Sequence, residues 1–332
     1  MRKLIALAGC LVAGVVLQAV DPNYQVVSEI HIGGAGGWDY LIVDPAAHRL
    51  YVSHATKIVV ADTDTGKIVG EIPDTPGVHG FAIAPSLGRG FTSNGRANSS
   101  TIVDLKTLKV LGTVPTGGNP DSIRYLADRE EVWTFNHTGG SITVFDPMTA
   151  KVIATIEVGG ELEEAVDDPA VHRVYVNVED KGTIAVIDTV KHTTVATWPI
   201  ADCEGPTGLA FDVKNHLLLS ACDGRMAVTD SRSGKPVTSF PIADGVDGNG
   251  FDPATGLAFA SSGTGVLTIA HEDARNKFTV VQTVTTQPSG RTMWLEPSTH
   301  RVYVPVAMTT PVPNGRAGIV PDTMKVLVLE RK

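Results

Sequence analysis

The sequence predicts an all-β protein: a seven-bladed β-propeller of four-stranded antiparallel blades whose N-terminal strand completes the last blade. Three observations predict it. One motif recurs seven times, each repeat holds four short β patterns, and the two chain ends read as parts of one interrupted repeat.

The recurring motif is Asp44-Pro45-Ala46-Ala47-His48-Arg49-Leu50-Tyr51-Val52. It returns as Asp168-Pro169-Ala170-Val171-His172-Arg173-Val174-Tyr175-Val176 and as Glu296-Pro297-Ser298-Thr299-His300-Arg301-Val302-Tyr303-Val304. The same frame fits Ala84-Pro85, Leu126-Ala127, Asp212-Val213 and Asp252-Pro253, which places anchors at positions 45, 85, 127, 169, 213, 253 and 297. Neighbouring anchors lie 40 to 44 residues apart, a period that belongs to repeat architectures.

Each unit opens with a small apolar run such as Leu41-Ile42-Val43 and continues, after the anchor, with one such as Leu50-Tyr51-Val52-Ser53. A third run ends on an acidic turn residue, as in Val59-Val60-Ala61-Asp62, and a fourth follows, as in Ile68-Val69-Gly70-Glu71-Ile72. No useful stretch carries the 3.6-residue period of a helix, and four strands per unit repeated seven times describe a propeller. At the ends, Gln25 to Ile30 looks like a fourth strand with no first three before it. Lys325 to Leu329 closes a unit that has no fourth. The two should pair, leaving no long unpaired edge in the ring.

Tyr51-Val52-Ser53-His54 and Tyr175-Val176-Asn177, with the recurrent Val-x-x-Asp-x-x-Thr-x-Lys pattern seen at Val59 to Lys67, resemble the YVTN-type β-propeller repeat family. The resemblance spans nearly all of the chain after its first residues. It implies an exported or surface-displayed propeller, with enzymes among more distant relatives, and it is weak for function because a fold does not specify one.

The first residues read as a secretory signal peptide: Met1-Arg2-Lys3, then an almost wholly apolar Leu4 to Val20, closed by Asp21-Pro22. Cleavage after Ala19 would leave 20–332 as one propeller domain, periplasmic or secreted, with no membrane span. Leu7-Ala8-Gly9-Cys10 also resembles a lipoprotein processing box, although the apolar run continues past Cys10. Loss of Arg2 and Lys3 takes the net charge from -9 to -11, which argues against a nucleic-acid partner, since phosphate binding runs on a Lys/Arg excess. A monomer is expected. The two remaining cysteines, Cys203 and Cys222, fall at the same face of blade five and are a disulfide candidate outside the cytosol.

Strand connections alternate between the two faces of a blade, so the loops leading into the first strands share one face, the top, with the turns between second and third strands. The central channel opens there. Six residues before each anchor stand Asp39, His79, Asp121, Glu163, Thr207, Asp247 and Arg291, all polar. Glu164 follows Glu163, and a second ring, read from the last position of each second strand, contributes His54 and Asn94. A solvated rim would account for such polarity. Converging carboxylates also repel one another and invite a cation, a shared proton or a basic ligand. Oxygen donors suit Ca²⁺ or Mg²⁺, and His79 would shift the choice towards Zn²⁺ or Mn²⁺. The order of the ring puts His79 between Asp39 and Asp121, and Arg291 between Asp247 and Asp39, an uneven pattern able to orient an asymmetric ligand.

Asp62, Asp104, Asp146, Asp188 and Asp230 recur at one turn in five units, which points to structure. Gly33-Gly34-Ala35-Gly36-Gly37 joins two strands and opens no helix, so it is no phosphate loop. No nucleophile-elbow, Cys-x-x-Cys or His-Glu-x-x-His motif occurs. A long insertion, Met308 to Asp322, interrupts the seventh unit on the top face. Two function classes fit. The first is a binding protein that holds a small molecule, ion or protein partner at the acidic mouth. The second is a metal-assisted hydrolase or lactonase using the same mouth, with His79, Glu163 or Glu164 moving protons.

Overall fold

The computed structural model describes residues 22–311 and 318–332. The expected leader with Cys10, and residues 312–317 of the insertion, lie outside them. Seven four-stranded antiparallel sheets form the ring. Six follow chain order from the channel outwards; blade one, for example, runs Leu41–Asp44, Arg49–His54, Lys57–Asp62, Ile68–Ile72. The seventh runs Trp294–Glu296, Arg301–Val306, Lys325–Arg331 and then Tyr24–His31, so the first strand of the chain closes the ring, with Tyr24 opposite Arg331 and His31 opposite Lys325. No helix among the described residues is long and apolar enough to cross a membrane.

The repeat motif is a turn device. The acidic residue before the anchor accepts hydrogen bonds from backbone amides two or three residues on, as Asp44 does from Ala46 and Ala47 and Asp212 does from Lys214 and Asn215. Three residues after the anchor the chain turns left-handed in all seven blades, at His48, Gly88, Glu130, His172, His216, Gly256 and His300, with φ between 52° and 68°. That one left-handed residue closes the hairpin at small cost. The five recurrent aspartates do similar work at the turn between third and fourth strands, on the same face of the blade. Asp146, for instance, accepts from the Met148 and Thr149 amides at 2.8 and 2.7 Å, and these bonds hold its carboxyl below the usual range.

The core is divided. Seven apolar clusters fill the seven interfaces between neighbouring blades, one each; the blade three–four cluster, for example, sets Trp133, Phe135 and Val144 against Val174, Val176 and Ala185. Every blade is therefore half of two cores, and the ring is stable only when closed.

Cys203 and Cys222 are joined in a disulfide with a Cα separation of 5.4 Å across 19 residues. It ties the loop before blade five to the end of that blade's second strand. The chain-entropy contribution of such a loop is about 3 kcal/mol. Replacing both cysteines with Ser should lower the unfolding free energy measured by denaturant titration by about that amount; equal free energies would show that the bond adds nothing.

Candidate functional site at the channel mouth

The seven first-strand starts meet at the channel axis. Asp39, His79, Asp121, Glu163, Thr207, Asp247 and Arg291 all line one cavity of about 280 Å³ at the top face. Their backbone is pinned from the second strands: the Ser53 hydroxyl accepts the Asp39 amide at 2.8 Å, and the Asn177 side-chain amide donates to the carbonyls of Thr207 and Gly208 at 3.0 Å. Between blades, the Thr292 hydroxyl donates to the Asp39 carbonyl at 2.8 Å. A mouth held by backbone contacts of this kind is preorganised.

The charges divide into two halves. On one side, His79 Nδ1 lies 2.7 Å from Asp39 Oδ2 and 2.9 Å from Asp121 Oδ1. Burial opposes charging of this imidazole, but Asp121 and Asp39 outweigh it and push its pKa up to about 10. Arg291 extends the group, with Nε 2.9 Å from Asp247 and an amino nitrogen 3.4 Å from Asp39. This half supplies its own cations. The other half does not. His137 Nδ1 lies 3.0 Å from Glu163 Oε1, and Glu179 stands beside them, so that one ligand atom from each falls within 4.8 Å of the others. Burial first, then the charges of Asp121, Asp247 and Glu179, push Glu163 far above the usual carboxylate range, to about 11. Asp247 rises to about 7 through burial and the charge of Asp39, despite Arg291.

Three expected site residues lie elsewhere. The His54 ring is buried, with its nitrogens 2.9 and 3.2 Å from the carbonyls of Gly33 and Gly37; it clamps the glycine loop and does not reach the mouth. Asn94 is buried inside its own blade, donating to Thr101 at 2.8 Å, as Asn136 does to Thr143 one blade on. Glu164 points below the mouth, into the channel, 3.6 Å from Arg124.

Three mouth residues escaped the sequence reading: Asn119, two residues before Asp121, and the ionisable pair His137 and Glu179. His137 and Glu179 each follow directly after the second-strand end position that was taken as the second ring. Both lie just past the strand end, His137 in a turn and Glu179 at the start of a short 3-10 helix, where the alternation of the strand no longer sets the side-chain direction. Reading one position further in the repeat would have found them. The blade-seven insertion docks beside the mouth: Thr309–Thr310 pairs with Gly318–Ile319, and the Asp322 amide donates to the Gly34 carbonyl at 2.7 Å.

No family model matches the chain, and no curated protein matches it. Among solved structures it is similar to hydrazine synthase of Kuenenia stuttgartiensis, at 14% identity and a TM-score of 0.70 over 81% of this chain and 92% of that one. It is also similar to the WD40 repeats of RRP9, at 11% identity and a TM-score of 0.75 over 94% and 99% of the two chains. A third likeness is to U3-55K, at 10% identity and a TM-score of 0.74 over 92% and 98%. At these identities the likeness establishes the β-propeller fold and nothing about what the mouth holds.

Proposed function

We propose that this chain is an exported binding protein whose mouth holds a divalent cation, seated on His137, Glu163 and Glu179. One observation carries the reading: five carboxylates (Asp39, Asp121, Glu163, Glu179 and Asp247) share one small cavity with Arg291 and His79, and those two cations are already engaged by Asp39, Asp121 and Asp247. An ion at Glu163 would offset both the burial and the neighbouring negative charge that keep its proton on. A donor set of two carboxylates and one imidazole suits Mn²⁺ or Zn²⁺ better than Ca²⁺.

Metal content of protein purified without chelator, followed by calorimetric titration of the stripped protein with Mn²⁺, Zn²⁺ and Ca²⁺, tests this. One ion per chain is expected, with Glu163→Gln and His137→Ala each weakening it by about a hundredfold, about 2.7 kcal/mol. Neither bound metal nor heat with any of the three ions would end the reading. A second reading, metal-assisted hydrolysis of an ester or lactone, seats the ion on the same three residues and leaves proton transfer to His79, which Asp121 and Asp39 keep protonated near neutral pH and which would serve as a general acid. Metal-dependent turnover of a simple lactone, lost in His137→Ala, would favour it.

A further inference from the structure

The channel continues below the mouth into a second cavity of about 320 Å³, within the range of small-ligand sites. Tyr40 borders both spaces and sets its hydroxyl 3.2 Å from Asp121, at the boundary. The walls below are of another kind: Ile42, Ile83, Tyr125, Phe211 and Trp294, all only partly buried, surround the space. Pro297, exposed on the opposite face of the ring, lies at its far end. Apolar surface kept wet inside a channel costs about 25 cal/mol per Å², so a ligand with an apolar body gains by covering it.

The polar groups of this wall set the sign of the ligand. Arg124 is spent: its Nε and one amino nitrogen each lie 3.0 Å from Asp167 Oδ1, and the other amino nitrogen donates to the Ala165 carbonyl at 2.7 Å. Glu164 is left with Arg124 at 3.6 Å and the backbone amide of Ala165. Two carboxylates thus face one guanidinium, and the less engaged one borders the cavity. Two wall residues, Trp294 and Asn249, also carry a buried indole nitrogen and amide oxygen that have no hydrogen-bond partner among the described residues. Aromatic faces around Glu164 add cation–π attraction for an ammonium group, whereas an anion would meet an excess of negative charge.

We infer that this lower compartment is a second, separate binding site, which takes a small primary amine with an aromatic or branched apolar body, its ammonium group on Glu164 and its body among Tyr125, Phe211 and Trp294. Neighbouring residues of one strand then serve two compartments: Glu163 faces the mouth and Glu164 the chamber below. The site does not depend on whether the mouth binds metal.

The test uses the full chain and defined probes: 2-phenylethylamine, tyramine and isoamylamine, with 3-phenylpropanol and 3-phenylpropionate as neutral and anionic controls. Calorimetry, with Trp fluorescence in parallel, should show one amine per chain, and the controls weaker by about tenfold or more. Glu164→Gln should bring the best amine down to the level of the alcohol. Ile83→Trp, which fills the chamber, should remove amine and alcohol alike, while Glu163→Gln should leave amine binding unchanged even where it abolishes metal binding. The inference is overturned if no amine binds below about 10 mM, if Glu164→Gln has no effect on a bound amine, or if Glu163→Gln abolishes its binding. Should Glu164→Gln fail to fold, Ile83→Trp decides the question: loss of amine binding at an unchanged melting temperature upholds the inference, and retained amine binding overturns it.

Discussion

A chain lacking residues 22–32 is expected to be recovered as aggregate, or to melt tens of degrees below the intact protein. The deleted strand is the outer strand of blade seven, and it holds the ring shut through seven register pairs with Lys325–Arg331. It also sinks Tyr24 and Ile30 into two separate interfaces, the blade six–seven and blade seven–one clusters. Burying two such side chains is worth about 3 to 6 kcal/mol, and the lost ladder and the Tyr24 hydroxyl bond to the His300 carbonyl at 2.8 Å add to that. Against a whole-domain stability of about 5 to 15 kcal/mol, the loss leaves little. The exposed edge of Lys325–Arg331 then becomes a template for pairing between chains. Thermal denaturation and light scattering of the two proteins side by side provide the check, and equal melting temperatures would disprove closure by this strand.

The second large effect is on pH. Metal-free protein should lose stability as the pH rises from 5 to 9, and divalent metal should reverse the trend. Glu163, raised from 4.5 to about 11, Asp247, raised from 3.8 to about 7, and His79, raised from 6.5 to about 10, all keep protons in the folded state that the unfolded chain releases. For each group the favourable contribution is whole below its unfolded pKa and is lost as the pH climbs to its folded pKa. One such group contributes at most about 1.4 kcal/mol per pH unit, or about 2 to 4 °C per unit in a chain of this size. Glu163→Gln should flatten the slope between pH 5 and 9, because glutamine has no proton to hold. A bound cation takes the ionised carboxylate, so metal-loaded protein should gain stability over the range where the free protein loses it. Parallel slopes for the wild type and Glu163→Gln would show that Glu163 is ordinarily solvated. In acid the order changes. The turn aspartates, lowered by their amide and hydroxyl contacts, lose their contribution only as the pH falls below 3.8 and through their depressed values.

What was legible in the sequence was whatever the repeat encodes locally. The motif around Asp44-Pro45 and His48-Arg49 recurs because five of the seven hairpins use an acidic amide acceptor at their start and all seven close on a left-handed residue. That turn sets the register of the first two strands in every blade, and register carries Asp39, His79, Asp121, Glu163, Asp247 and Arg291 to one axis from loops 40 or more residues apart. Even the order of charges followed, since neighbours in the repeat are neighbours around the ring: His79 does sit between Asp39 and Asp121.

Only the tertiary structure decided which of two adjacent side chains faces which space. Glu163 opens on the mouth and Glu164 on the chamber below it; His137 and Glu179 reach the mouth, whereas Asn94 and His54 turn into their own blade or loop. Periodicity of about 42 residues locates a position around the ring and along the axis. The side on which a side chain emerges alternates with every residue and is reset by each turn and bulge, as between Leu162 and Ala165. The division of the mouth into a self-neutralised half and an uncompensated half follows from distances of about 3 Å, and these exist only once seven blades have closed on one another.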